Sequence, residues 1–93
     1  MFDLKIDLGN LTKLLNKGRI DKVYDKMYYV ADKRAREETQ TFLLELQAKV
    51  NEIKDPLHLI TMISDFKKER ISFHMNEMKQ LLEISVKNQS NKE

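Results

Sequence analysis

The chain has 93 residues, a hydrophobic fraction of 41%, a charged fraction of 34% and a formal net charge of +2. One small helical domain is expected, since the apolar content is too high for disorder and two Gly with one Pro leave little for the turns of an all-β fold. With no Cys, disulfides and thiolate zinc sites are excluded, and the near balance of 17 basic and 15 acidic residues does not demand an acidic partner.

Phe2, Leu4, Ile6 and Leu8 alternate with Asp3, Lys5 and Asp7, the pattern of a half-buried strand. Leu4, Leu8, Leu11 and Leu15 also recur at helical spacing. Gly9-Asn10 favours an extended segment over 2–8, because Gly is costly in a helix and Asn caps one. A short helix is then expected over 11–17, closed by Gly18. A lone strand would need pairing from another molecule or from water. The first five residues, Met1-Phe2-Asp3-Leu4-Lys5, lack the basic-then-apolar form of a secretory signal, so a cytoplasmic location is expected.

From Arg19 to Lys54 no Gly or Pro interrupts. Ile20, Ala31, Phe42 and Ile53 recur every eleven residues, as do Tyr24, Ala35 and Leu46. Such a repeat keeps a straight or slightly right-handed stripe. Asp32 with Arg36 and Glu45 with Lys49 make favourable i,i+4 pairs. A long helix over 20–54 is expected, with a weak point near Glu38 to Thr41. Lys54-Asp55-Pro56 ends it: Pro disfavours helix at the preceding residue and suits the next helix's first turn, with Asp55 as N-cap.

The second long helix is expected over 56–87, before a frayed tail at 88–93. Stepping about 100° per residue, His58, Thr61, Asp65, Ser72, Asn76, Lys79 and Glu83 fall in one polar sector. The remaining arc is apolar and too wide for one neighbour to cover. The expected architecture is an all-α antiparallel hairpin of two long helices, completing a bundle by oligomerisation or by binding a partner. Arg70 and Glu77 stand inside the apolar arc. Within a hairpin they would meet Glu38 and Arg34; in a two-fold dimer they would meet each other across the interface.

Little points to catalysis. His58 and His74 lack the His-Glu-x-x-His spacing of a metal site. Ordinary helix-surface histidines are expected, with no cofactor or metal. Ser64, Ser72 and Ser85 have no accompanying base or oxyanion hole, and no glycine-rich phosphate loop is present. A non-enzymatic protein with no small-molecule substrate is expected. The longest apolar run, Leu57 to Ile63, is too short to span a membrane and includes His58 and Thr61.

The leading expectation is a protein-interaction module: an inhibitor, adaptor or chaperone acting through Leu59, Ile63, Phe66, Arg70, Phe73, Glu77, Leu81 and Ile84. Its partner would be another protein or a second copy. Met62, Met75 and Met78 would lend that face adaptability. A second expectation is a structural subunit, viral or otherwise, whose N-terminal strand joins a neighbour's sheet. A third is a small nucleic-acid-binding regulator using Lys13, Lys17, Arg19, Lys22 and Lys26 beside Tyr24, Tyr28 and Tyr29. Asp21 and Asp25 interrupt that cluster, and Tyr24 and Tyr28 share a face with Ile20, Met27 and Ala31, which favours core tyrosines with hydroxyls at the rim.

The opening Phe2-Asp3-Leu4-Lys5-Ile6-Asp7-Leu8-Gly9-Asn10-Leu11 resembles the start of phage head–tail connector or tail-completion proteins over the first fifth of the chain. That family's later strands have no counterpart in Leu57 to Glu93. In size and hairpin the chain is also similar to small type VII secretion substrates, but Lys54-Asp55-Pro56 replaces their Trp-x-Gly turn. Neither resemblance transfers a residue role.

Overall fold

The computed structural model describes residues 6–90, and within them the chain is all-α. Helix α1 spans Leu8–Asn16, α2 Ile20–Ala48 and α3 Pro56–Ser90, and a single 3-10 turn, Val50–Glu52, lies between the last two. The molecule is a rod of 61 × 24 × 18 Å.

Helix α1 begins earlier than the sequence suggests. Asp7 is its N-cap, and the Asp7 carboxylate accepts from the Asn10 backbone N–H at 3.1 Å. A carboxylate there satisfies an otherwise orphaned amide, so Gly9 and Asn10 fall inside the helix rather than before it. The extended segment expected over 2–8 lies mostly outside the described residues. Ile6 and Asp7 precede the helix, and Leu8 is already in it. Among the described residues there is no strand.

Gly18 ends α1 with φ of +75°, the left-handed conformation that other residues adopt only at a cost. Its N–H donates to Leu15 O at 3.0 Å, and Arg19 N–H to Leu14 O at 2.9 Å, which satisfies two carbonyls at the helix end. Helix α2 is shorter than the expected 20–54. It stops at Ala48, and the chain tightens into the 3-10 turn before Ile53 becomes extended. Pro56 disfavours helix only at Asp55, so it separates the 3-10 turn from α3 and does not account for the stop at Ala48. Glu38 to Thr41, the expected weak point, is continuous helix. Asp55 caps α3 by accepting from Leu57 N–H at 3.1 Å. Helix α3 runs on through residue 90, past the expected limit of 87.

The long helices lie against each other with residue numbers rising on one as they fall on the other. Phe42 stacks on Phe66 with ring centroids 4.4 Å apart, and Glu38 meets Arg70 and His74. Val23 and Met27 share a core with Met78 and Leu82. Ala31 and Ala35, both fully buried, let α2 approach closely at mid-length. Helix α1 lays Leu11, Leu14 and Leu15 against that same core, and the Thr12 and Ser85 hydroxyls meet at 3.3 Å. The polar sector read from the sequence, His58 through Glu83, is exposed at all seven positions.

Candidate functional site

Two features stand out along α3: a polar clamp that faces α2, and a stripe of exposed apolar side chains on another side of the helix.

The clamp is built from Glu38, Arg70, His74 and Glu77. Arg70 and His74 are four apart and so share a face of α3, which puts both opposite Glu38 on α2. Arg70 Nη2 donates to Glu38 Oε2 at 2.6 Å, and His74 Nε2 to Glu38 Oε1 at 2.5 Å. Both Glu38 oxygens are thereby engaged. Burial pushes the Glu38 carboxyl up, but the hydrogen bonds from Arg70 and His74, with the accompanying charge, outweigh it and hold it below the ordinary value of 4.5. Glu77 Oε1 lies 3.4 Å from His74 Nδ1, within ion-pair reach but without hydrogen-bond geometry. Arg70 Nε is buried without an acceptor. The Arg70 guanidinium instead spreads over the Phe73 ring, 4.4 Å from its centroid, in a cation–π contact.

His74 is therefore not the helix-surface histidine expected from the sequence: it is only 8% exposed. The sequence signal that could have found this is its four-residue spacing from Arg70 on the arc facing α2. Its chemistry is that of a fastener. A half-buried carboxylate with each oxygen accepting from a donor on the facing helix ties α2 to α3 at one level. Among the described residues, no group of three or more His, Asp or Glu side chains is placed to hold a metal.

The eight candidate partner-binding residues divide in two. Leu59, Ile63, Phe66 and Arg70 are half-buried within the chain, with Phe66 against Phe42 and Arg70 on Glu38. Phe73, Leu81 and Ile84 are open to solvent, at 46%, 47% and 56% exposure, and Glu77 is exposed between them. Offsets of four, eight and eleven residues from Phe73 place Glu77, Leu81 and Ile84 on one side of α3. The stripe is thus three apolar side chains interrupted by two exposed polar ones, Glu77 and Gln80, on the same side of the helix.

The five basic candidates, Lys13, Lys17, Arg19, Lys22 and Lys26, are all exposed and spread over α1, the following turn and α2. Arg19 Nε lies 3.5 Å from Asp21 Oδ1, so part of that charge is already matched. Tyr24 and Tyr28 depart from the core role expected of them. Their rings lie 6.0 Å apart and both are exposed, beside an exposed Ile20. Among the described residues, no helix is long and apolar enough to cross a membrane.

No protein-family model, no curated protein and no solved structure matches this chain.

Proposed function

We propose that the chain is a non-enzymatic protein–protein interaction module, an inhibitor, adaptor or chaperone working in the cytoplasm, that engages its partner through the open stripe of α3. The observation that carries this reading is the shared face of Phe73, Leu81 and Ile84, three large apolar side chains left in water. Each is already about half covered, so burying what remains stabilises a complex by about 1 kcal/mol per side chain before ordering costs. A face of this shape is suited to a helix-in-groove contact or to completing a bundle. Arg70 supports the reading. Seated on Glu38 and over Phe73, it holds the ring from behind, and arginines and aromatics are the residue types that dominate interface energetics. The partner is another protein or a second copy of this chain.

Light scattering after gel filtration, with binding of the apolar dye ANS, tests this. At micromolar concentration the wild type should associate or bind dye. The double variant Leu81→Asp, Ile84→Asp should be monomeric and bind less dye than the wild type at an unchanged melting temperature, since both positions are exposed. A wild type that is a folded monomer without dye binding would overturn the proposal.

A further inference from the structure

Helices α2 and α3, with Leu15 of α1 at one end, also border a groove that shares no side chain with the α3 stripe. Tyr24, Tyr28, Lys68, Ile71 and Met75 line a depression of about 470 Å³. A second, of about 330 Å³, adjoins it through Tyr24, Met75 and Asn76 and adds Ile20, Met27 and Lys79. A third, also about 330 Å³, continues from Lys79 along Leu15, Leu82, Val86 and Lys87. Together they follow α3 from Lys68 to Lys87, roughly 28 Å at a rise of about 1.5 Å per residue. The exposed Ile20 and Tyr24 stand on its wall, at 66% and 56%.

We infer that this groove seats an acidic amphipathic helix from a protein partner.

Three observations select that occupant. The first is charge. The ionised side chains lining the three depressions are Lys68, Lys79 and Lys87 against a single acid, Glu83. A partner with carboxylates along its flank is complementary, whereas a basic one is repelled. The second is form. The walls are helices, whose backbone groups are already paired, so an extended peptide finds no edge to join. A helix laid between two helices completes a bundle, and α1 does this to the same pair with Leu11, Leu14 and Leu15. The third is the floor. Met27 and Met75 are unbranched and adapt to a leucine-rich face, while the tyrosines offer rigid apolar area with hydroxyls left at the rim.

Nucleic acid fits less well. Its backbone carries a charge every few ångströms, and three lysines over this length on an apolar floor would match few of them. A second copy fits less well also. Its open stripe brings one carboxylate, Glu77, and would leave most of the lysines unmatched.

Fluorescence anisotropy with a labelled synthetic helix tests the inference. The probe is a peptide of about 20 residues, enough to fill the groove, with leucine on one face and glutamate on its flanks. A counterpart carries lysine for glutamate. The acidic peptide should bind the wild type at least tenfold more tightly, an advantage that shrinks as salt rises. Lys68→Glu with Lys79→Glu should invert the preference. Both positions are exposed, and unchanged helicity by circular dichroism confirms the fold. Tyr24→Ala with Met75→Ala should weaken binding by about tenfold. Leu81→Asp with Ile84→Asp should leave it unchanged, which separates this groove from the α3 stripe. The inference is overturned if neither peptide binds, if both bind equally, or if charge reversal changes nothing. It is equally overturned if a single-stranded DNA 20-mer displaces the acidic peptide, or if wild-type self-association is abolished by Lys68→Glu with Lys79→Glu, which would make the occupant a second copy.

Discussion

The two ends of the rod are built from the same pair of helices, yet they pack differently. Where α1 joins, Leu11, Val23, Met27, Val30, Ala31, Met78 and Leu82 form a closed core. Where α2 and α3 meet alone, no residue from Gln40 to Phe73 is fully buried, although Phe42, Leu43, Leu46, Leu59, Met62, Ile63 and Phe66 all lie there. Apolar content is therefore not what separates the ends. Two helices touch along one seam, and each keeps the rest of its surface in water. A third helix turns that seam into an enclosed space. The Glu38 clamp sits at the boundary between these regimes. Both Glu38 oxygens are paired there with donors from α3, beside the Phe42–Phe66 stack of the open end.

The largest effect is expected of Met78→Asp. Met78 is 1% exposed at the centre of the closed core, and an unpaired carboxylate there costs several kcal/mol, on the order of the whole margin of a small domain. Circular dichroism at 25 °C should show loss of the cooperative thermal transition. Next, Leu11→Ala should cost about 2–5 kcal/mol through a cavity in the core. Phe66→Ala, at a half-buried ring, should cost about 1–2 kcal/mol. Hydrogen exchange sharpens the contrast: Leu11→Ala should lower protection in α2 and α3 beside α1, and Phe66→Ala only in the open end. Equal melting temperatures for the two variants would remove the distinction.

The clamp gives a smaller, pH-dependent effect. The Glu38 carboxyl is held below 4.5, so its contribution to stability is complete above that pH and is lost as pH falls through the depressed value. Glu38→Gln should lower the melting temperature at neutral pH, and its gap to wild type should narrow on acidification below 4.5. A gap that stays constant with pH would mean the carboxylate's charge does not hold the helices. Smaller again, Gly18→Ala should cost about 1 kcal/mol, because its left-handed φ of +75° penalises a side chain even though nothing crowds the position. Ser72→Asp, on the exposed face of α3, should stay within about 0.5 kcal/mol of wild type.

Much of this was legible before any coordinates. Low Gly and Pro content, the Lys54-Asp55-Pro56 break and Gly18 are local signals, and local signals depend on backbone sterics that every residue carries with it. The exposed sector from His58 to Glu83 was equally plain, because polarity at helical spacing needs no partner to interpret. The start of α1 was misplaced for a local reason too: Asp7 competes with Asn10 as a cap, and the carboxylate wins by accepting the Asn10 amide.

The tertiary structure decided which apolar residues are core and which are surface. The eleven-residue stripes look uniform in the sequence, yet Ile20 is exposed, Ala31 buried and Phe42 half-buried, while Ile60 is exposed, Ile71 half-buried and Leu82 buried. Whether such a residue faces protein or water depends on whether a neighbouring helix lies on its side of the rod as well as at its level: Ile20 is exposed three residues from buried Val23. The same holds for His74, whose spacing puts it on the inner arc but whose burial requires Glu38 on the other helix. Periodicity within a helix states which residues share a side. Only the placement of α1 and α2 against one side of α3 determines that Met78 and Leu82 are closed while Leu81 and Ile84, on the other side at the same end, stay open.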